Sequence, residues 1–148
     1  MFAPKNILVP TDFSEYSDKS LQEAMDIANQ YHSKIHLLHV AEMVIHCTVD
    51  YCLDPQTVTQ VENETIQASK KMMQDQVAKF QKSNAVEIIT EIRKGTPYEE
   101  ILKDQQEKNI DLIVIASHGQ TGLMRYLVGS VAEKVLRHSK SPVLLVRI

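Results

Sequence analysis

Short runs of apolar residues, many of them β-branched, recur along the chain and are bounded by turn-forming residues. Continuous runs of this kind are typical of strands that are buried on both faces of a parallel sheet. Five runs predict strands: Asn6–Val9, Lys34–Val40, Val86–Ile92, Asp111–Ile115 and Pro142–Val146. In the third run two glutamates share one face, which favours a position at the edge of the sheet.

Between these runs, apolar residues recur at spacings of three and four, the period of an amphipathic helix. Helical stripes are predicted for Leu21, Ala24, Met25 and Ala28, for a long segment from about Gln56 to Ser83, and for Val131, Ala132, Val135 and Leu136. In the long segment we expect Met72 and Met73 to fill the core. Thr96, followed by Pro97 and Glu99, predicts a further helix with Thr96 as its N-cap.

The alternating order of strands and helices predicts an α/β fold, in which one parallel sheet carries helices on both faces and the crossovers are right-handed. A chain of 148 residues suits a single domain that spans residues 1–148. No internal repeat or linker interrupts the pattern, and its one irregular insertion is Ala41–Pro55.

Charge and composition exclude several kinds of partner. The chain has 16 basic and 19 acidic residues, a net charge of −3, and no basic block, so we expect neither a nucleic acid nor an anionic membrane as a partner. The opening MFAPKNILVPTD has none of the features of a signal peptide. Two cysteines, Cys47 and Cys52, are too few for a disulfide scaffold. These features together predict a cytoplasmic protein.

Glycines are concentrated after the fourth predicted strand. Of the four glycines in the chain, Gly119, Gly122 and Gly129 fall within eleven positions. In doubly wound sheets, ligands bind at the carboxyl ends of the strands, where the strand order reverses. If the first and fourth strands are neighbours, Asp12 could bind a hydroxyl pair such as that of a ribose, while the glycine loop and the helix that starts near Ser130 could bind phosphates.

Each of these features also has a purely structural interpretation. Ser130 and Glu133 form the S-x-x-E pattern of a capping box, which requires no ligand. Asp12 and Ser14 could cap the first helix, and Gly122 could be a turn residue. The glycine loop matches neither the phosphate-binding G-x-x-x-x-G-K-[ST] loop nor G-x-G-x-x-G after a first strand.

Over its whole length the sequence resembles the universal stress protein family. The resemblance rests on KNILVPTDFSEYSDKSLQEA at the start, LLHV at the end of the second strand, KGTPYEEIL, DLIVIASHGQTGL and the closing LVGSVAEKVLRHSKSPVLLVR. It implies an open five-stranded parallel sheet of order 3-2-1-4-5, a Rossmann-like fold of the adenine nucleotide alpha hydrolase type. It also implies a cytoplasmic, stress-linked role and, in most members, a homodimer.

Family members that hold ATP carry G-x-x-G, nine residues and then G-[ST]. Gly119, Gly129 and Ser130 match this motif, whereas Ala116 stands at the first glycine position. Alanine can adopt the required backbone conformation if φ is negative. At Ala132 some ATP-binding members carry a hydroxyl residue, which this chain lacks. The resemblance implies an adenine contact at the Val40 backbone and ribose and phosphate contacts at Thr11, Asp12, Gly119, Gly129, Ser130 and Val131. We also predict contacts at Pro10, Ala116 and His118, which stand at the same two strand exits.

The expected function is regulatory binding of ATP, with Asp12 able to hold Mg²⁺. Phosphoryl transfer needs a positive clamp and a group that orients the nucleophile. No lysine stands in the glycine loop and no base is evident, so any hydrolysis should be slow. His118 could contact a phosphate or cap the loop. Arg125 could contact a phosphate or lie on the surface. The alternatives are a nucleotide-independent interaction module of the same fold and a slow ATPase.

Two further predictions concern partners. In the implied order the last strand lies at the edge of the sheet, where an open apolar strand invites pairing with a second copy. The predicted homodimer interface comprises Val143, Leu144, Leu145 and Val146. In the insertion, His46, Cys47 and Cys52 have the chemistry of zinc ligands, but their spacing is loose and fewer than four firm ligands are evident, so we predict no metal. A shared metal at His36 and His39 is not predicted either, because their odd spacing points them to different sides of a strand.

Overall fold

Five parallel strands form a sheet that is covered by helices on both faces. The computed structural model describes residues 1–43, 54–81, 85–119 and 128–147. In chain order the elements are β1 (Asn6–Pro10), α1 (Glu15–Tyr31), β2 (Lys34–Ala41), α2 (Pro55–Phe80), β3 (Ile88–Lys94), α3 (Pro97–Glu107), β4 (Leu112–Ala116), α4 (Ser130–His138) and β5 (Val143–Val146). In the described part of the chain, no helix combines the length and the apolar character needed to cross a bilayer.

The strand order is β3-β2-β1-β4-β5, and every neighbouring pair is parallel. The predicted fold class and order are therefore confirmed, as is the position of β3 at one edge. The order reverses between β1 and β4, because β1 pairs with β2 on one side and with β4 on the other. Strand connections leave in opposite directions at this point, which opens a crevice at the carboxyl ends of the two strands.

The core has one layer on each face of the sheet. Ile7 and Val9 of β1 pack into the layer beneath α1 and α2, whereas Leu8 packs into the layer beneath α3 and α4. All three side chains are fully buried. Burial on both faces explains why β1 appears in the sequence as an uninterrupted apolar run.

The helix termini correct one prediction and confirm another. The helix α4 begins at Ser130 with Gly129 as its N-cap and no capping bond from a side chain, so the predicted capping box of Ser130 and Glu133 is wrong. Thr96 is the N-cap of α3, as predicted, but its side chain makes no capping hydrogen bond. By contrast, Ser14 caps α1 by accepting a hydrogen bond from the backbone N–H of Ser17.

The helix α2 is long and lies largely outside the core. Of its 26 residues, those that are buried are Ser69, Met73 and Gln76. Met73 therefore fills the core as predicted, whereas the prediction for Met72 is wrong, because 45% of its surface is exposed. The helix begins at Pro55, after Asp54 accepts hydrogen bonds from the N–H groups of the first turn, and ends at Phe80.

Six charged side chains form a dense ion-pair group between β3 and α3, which we name the Arg93 cluster. Its members are Glu91, Arg93, Glu100, Asp104, Glu107 and Lys108. Arg93 lies 2.7 Å from Asp104 and 2.6 Å from Glu107, and Lys108 also lies 2.7 Å from Asp104 and pairs with Glu91. Asp104 is fully buried, so both cations compensate a carboxylate that water does not reach.

Candidate functional site

The chain leaves β1 in a tight turn that presents Asp12. The N–H of Thr11 donates to the carbonyl of Leu38 (2.8 Å), and the Thr11 hydroxyl accepts a hydrogen bond from the N–H of Phe13 (3.0 Å). Phe13 has a φ of 63°, in the left-handed region, which reverses the chain into α1. The Asp12 carboxylate accepts from the N–H of Ser14 (3.0 Å), so the turn itself orients this side chain at the end of the sheet.

The chain leaves β4 in a loop whose two ends are held together. The N–H of Ser117 donates to the carbonyl of Val146 (2.9 Å), and the N–H of Gly129 donates to the carbonyl of Ser117 (2.7 Å). A Cβ atom on Gly129 would lie 3.3 Å from that carbonyl oxygen, which is tighter than an ordinary contact. Gly129 thus lets the returning chain reach the strand exit just before α4 begins.

The exits of β1 and β4 meet at Asp12 and Gly119. A Cβ atom on Gly119 would lie 2.7 Å from Oδ2 of Asp12, a distance at which something must shift. Glycine at this position therefore leaves room for the carboxylate that approaches from the neighbouring strand exit, and a larger residue would displace that side chain. Next to it, Nδ1 of His118 lies 2.8 Å from the hydroxyl of Ser117, and its ring lies 6.1 Å from that of Tyr16.

A cavity of about 540 Å³ opens between these two exits. Its lining includes all ten residues at which a nucleotide contact is predicted: Pro10, Thr11, Asp12, Val40, Ala116, His118, Gly119, Gly129, Ser130 and Val131. The structure thus brings together, at the reversal of strand order, residues from four separate segments of the chain. The lining also contains an apolar part, formed by Leu38, Pro97, Ile101 and Ile115.

Sequence reasoning did not identify one wall of this cavity. Thr65, Ser69 and Met72 of α2 line it, although they lie far along the chain from either strand exit. Their spacing of four and three residues places them on one face of the helix. That spacing was the available signal, but a stripe of a threonine, a serine and a methionine does not stand out as an apolar face.

Two polar side chains near the β1 exit are used by the fold itself. Thr11 is buried, and its hydroxyl lies 2.9 Å from the amide oxygen of Gln76 and 3.0 Å from the hydroxyl of Ser17. The Thr11 hydroxyl is thus engaged within the fold, and the nucleotide contact at Thr11 stays a prediction. His39 packs its ring against Phe13 at 4.3 Å, and its Nδ1 lies 2.8 Å from the Thr11 carbonyl. A carbonyl oxygen only accepts, so Nδ1 of His39 carries the proton in this contact.

Charge in the cavity is sparse. Within the described part of the chain, its lining carries the carboxylates of Asp12 and Glu42, the imidazoles of His39 and His118, and no lysine or arginine. Positive potential comes instead from the first turn of α4, whose N–H groups have no side-chain cap. An anionic ligand at this end would meet backbone amides and a helix dipole.

Several predicted residues lie outside the described residues, namely His46, Cys47, Cys52, Gly122 and Arg125. Among the residues that the structure does describe, no group of three histidine, cysteine, aspartate or glutamate side chains could hold a metal ion. His36 and His39 have separate partners: His36 lies 3.5 Å from the side-chain oxygen of Asn6, whereas His39 contacts Thr11.

A doubly wound parallel sheet with a cavity at the reversal of strand order defines a class of α/β proteins that bind nucleotides or related ligands at this crevice. The chain belongs to the universal stress protein family, whose family model matches residues 4–147. The universal stress protein MJ0577 of Methanocaldococcus jannaschii is 31% identical over 155 residues, which cover 97% of this chain and 94% of that protein.

Solved structures agree with this assignment. A structure of MJ0577 covers 100% of this chain and is itself covered to 98%, with a TM-score of 0.84 and 29% identity. The universal stress protein UspA from Lactobacillus plantarum gives a TM-score of 0.83 at 28% identity, with 97% of each chain covered. Both likenesses extend over the whole fold, including the two strand exits that form the cavity.

Two more distant solved structures contain nucleotides. One is a universal stress protein in complex with cAMP, which is 21% identical with a TM-score of 0.62 and covers 98% of both chains. The other is an Arabidopsis thaliana family protein with AMP bound, which is 18% identical with a TM-score of 0.65 and covers 97% of this chain and 92% of that one. At these identities the likeness to the present chain is one of fold.

Proposed function

We propose that the protein binds ATP in the cavity between the β1 and β4 exits and acts as a nucleotide-responsive regulator in the stress response. The observation that carries this proposal is the convergence of all ten predicted contact residues on one cavity of about 540 Å³. Ligand cavities of a few hundred cubic ångströms are typical of small-molecule sites. The nucleotides in the cAMP and AMP structures of family members support the choice of ligand class.

The lining offers a distinct environment to each part of an adenine nucleotide. The apolar side chains of Ile101 and Ile115 suit a base, and the Val40 backbone would contact its edge. The Asp12 carboxylate suits ribose hydroxyls or a Mg²⁺ ion, because carboxylate oxygen is a ligand that this ion prefers. The amides at the start of α4 suit phosphates, since they point outward from the positive end of the helix.

Ala116 is compatible with this assignment. It is the last residue of β4 and pairs with Val146, and its φ is not positive. Alanine therefore occupies the first glycine position of the motif without backbone strain. The departure from the motif adds one methyl group beside the cavity, and this is a smaller change than a distorted loop would be.

The role we propose is binding without efficient turnover. Phosphoryl transfer requires a positive clamp and a group that orients the nucleophile. The described lining contributes no lysine or arginine, and its imidazoles are engaged, His39 with Thr11 and His118 with Ser117. A slow ATPase is the alternative within this site, and release of phosphate that depends on Asp12 would favour it.

We also propose a homodimer in the cytoplasm. The strand β5 pairs with β4 on one side and forms an edge of the sheet on the other. Leu144 of this strand is 38% exposed, and Leu136 of the adjacent α4 is 41% exposed. Antiparallel pairing of two β5 strands about a two-fold axis would cover both residues. Light scattering at micromolar concentration should report twice the monomer mass, and a monomer would contradict the dimer.

Calorimetry on protein stripped of nucleotide tests the binding proposal. Wild-type protein should bind ATP, and Asp12→Asn should weaken binding about tenfold or more, since hydrogen bonds to a charged group contribute about 1.5–3 kcal/mol. Asp26→Asn is the matched control, because Asp26 is an exposed carboxylate on α1 whose partner is Gln22. If the wild-type protein binds no ATP, the nucleotide-independent interaction module becomes the better account.

A further inference from the structure

One face of α2 connects the cavity to the β1 exit. Thr65, Ser69, Met72 and Gln76 follow one another at spacings of four, three and four, so they form a single stripe along the helix. The first three line the cavity. The fourth, Gln76, is 3% exposed and lies against the turn that presents Asp12.

Gln76 uses both ends of its amide. Its oxygen accepts from the Thr11 hydroxyl (2.9 Å), and its nitrogen donates to one carboxylate oxygen of Asp18 (2.7 Å). The other carboxylate oxygen of Asp18 accepts from Lys79 at 3.1 Å. A single side chain therefore joins the β1 exit, α1 and α2. Burial of an amide is costly unless its hydrogen bonds are made, and here they are made to two separate elements.

The contacts of Gln76 matter because few other side chains of α2 are buried. Of 26 residues in the helix, the buried ones are Ser69, Met73 and Gln76, and two of those three are polar. A helix with so little apolar burial belongs to the less stable part of a fold, where local opening costs little free energy. Beside the apolar packing of Met73, Val77 and Phe80, the hydrogen bonds of Gln76 tie α2 directly to the β1 turn and to α1.

We propose that Gln76 is a positioning residue that couples α2 to the nucleotide site. Through Thr11 it holds the turn in which Asp12 faces the cavity, and through the same bond it holds α2 as the cavity wall. Coupling of this kind is reciprocal, so a nucleotide that orders the turn must also stabilise α2. The proposal rests on nucleotide binding in this cavity. It identifies α2 as the element whose stability changes when a nucleotide binds.

Paired variants on the same helix test the role of Gln76. Gln76→Leu removes both hydrogen bonds and keeps a side chain of similar size. Gln74→Leu is the matched control, because it makes the same change at an exposed position two residues away. We expect Gln76→Leu to weaken ATP binding by about 5- to 20-fold, within the usual range of coupling between sites, and Gln74→Leu to leave it within about twofold.

Hydrogen exchange measured on the same proteins gives the readout that a merely structural role would not move. In the wild type, ATP should slow amide exchange in residues 55–80 as well as in residues 10–16. In Gln76→Leu, ATP should still slow exchange in residues 10–16 but no longer in residues 55–80. Equal protection of α2 in both proteins would overturn the coupling, whatever the change in melting temperature.

Exchanging donor and acceptor separates positioning from folding. Gln76→Glu still accepts from Thr11 but places a second carboxylate against Asp18, so it should weaken ATP binding and uncouple α2. Adding Asp18→Asn restores the contact with donor and acceptor exchanged, because the new amide at position 18 can donate to the new carboxylate at position 76. We expect the double variant to recover ATP affinity to within about threefold of the wild type. An affinity no better than that of Gln76→Glu alone would overturn the proposed link.

The outcome for wild-type protein distinguishes the two proposals. If the wild type binds no ATP, the proposed function fails, and the link is then measured in ligand-free protein. There, Gln76→Leu should speed exchange in residues 10–16, relative to Gln74→Leu, because the Thr11 hydroxyl loses its partner on α2. Unchanged exchange in that turn would overturn the link independently of any nucleotide.

Discussion

The Arg93 cluster and the cavity belong to the same sheet but use polar groups in opposite ways. In the cluster, two cations and four carboxylates lie within ion-pair distance, and Asp104 is fully buried. In the cavity, the described lining carries two carboxylates, two engaged imidazoles and Gly119, which brings backbone close to Asp12. In this protein the dense group of charges joins β3 to α3. The candidate site instead offers a ligand the backbone N–H groups at the start of α4.

Protonation equilibria point the same way. Burial alone would lower the pKa of Arg93, but hydrogen bonds to Glu107 and Glu91 and the charge of Asp104 raise this pKa well above its ordinary value. Burial alone would raise the pKa of Glu91, but hydrogen bonds from Lys108 and Arg93 lower it. Shifted pKa values are often taken to indicate functional sites, yet structural ion-pair networks shift them too. In this protein the pKa shifts of Arg93 and Glu91 arise within the Arg93 cluster.

The largest expected effect is the loss of stability when the Arg93 cluster is disrupted. Arg93→Met leaves Asp104 buried beside Lys108 alone, and removal of one partner of a buried pair costs about 3–5 kcal/mol. We expect the free energy of unfolding, measured with urea, to fall by about 3 kcal/mol. Arg137→Met is the control, because the side chain of Arg137 is 70% exposed in its pair with Glu133, and exposed pairs contribute about 0–1 kcal/mol.

The pH dependence of that loss provides a second measurement. The pKa values of Glu91 and Glu107 are lowered from the ordinary value of a glutamate, the former despite its burial and the latter mainly through its hydrogen bond from Arg93. Carboxylates with a lowered folded pKa stabilise the protein above the unfolded value, and this contribution is lost as the pH falls through the folded value. The difference in stability between wild type and Arg93→Met should therefore shrink below pH 4.5. If the Arg93 cluster is separate from the binding site, the ATP affinity of Arg93→Met at pH 7 stays within about threefold of the wild-type value.

A second prediction concerns a substitution in the cavity, Gly119→Ala, which leaves the Arg93 cluster intact. In Gly119→Ala the added Cβ would lie 2.7 Å from Oδ2 of Asp12, so the carboxylate must move away from its present position. We expect ATP affinity, measured by calorimetry, to fall about 10- to 100-fold, because a displaced charged group loses about 1.5–3 kcal/mol of hydrogen bonding. Stability should change much less than in Arg93→Met, since the surface carboxylate can relax into solvent.

A double variant shows whether Asp12 carries this effect. If displacement of the carboxylate is the cause, adding Gly119→Ala to Asp12→Ala should cost little beyond the loss from Asp12→Ala alone. Additive losses would instead mean that the methyl group obstructs the ligand directly. The contact between Asp12 and Gly119 would then be incidental to binding.

Most of the fold could be predicted from local patterns, because the strands are buried on both faces. The uninterrupted run of Ile7, Leu8 and Val9 indicates a central parallel strand, and the acidic face of Val86–Ile92 indicates an edge. Strand order came from family resemblance, since no local pattern encodes which strands become neighbours. The contact between the β1 and β4 exits could therefore be expected, but its distances could not.

The site was predicted less completely, for two physical reasons. The α2 wall was not predicted because a helix that faces a cavity with Thr65, Ser69 and Met72 lacks the apolar periodicity of a core helix. The capping box at Ser130 is wrong because the N–H of Gly129 is bonded to the carbonyl of Ser117 and Gly129 is the N-cap, so the helix begins at Ser130, one residue earlier than that capping box implies. In both cases a tertiary contact overrides the local signal.

The smallest expected effect tests whether the sequence departure at Ala116 matters. Ala116→Gly restores the first glycine of the family motif at a residue that already pairs with Val146 in β4 and has no positive φ. Because no backbone strain is relieved, we expect ATP affinity to change by less than about threefold, with a loss of stability of about 0.5–1 kcal/mol from glycine in a strand. Calorimetry and urea unfolding measure both quantities. A large gain in affinity would mean that the Ala116 methyl group, rather than the Asp12–Gly119 contact, limits nucleotide binding, and the cavity would then be shaped by one side chain at β4 more than by the approach of two strand exits.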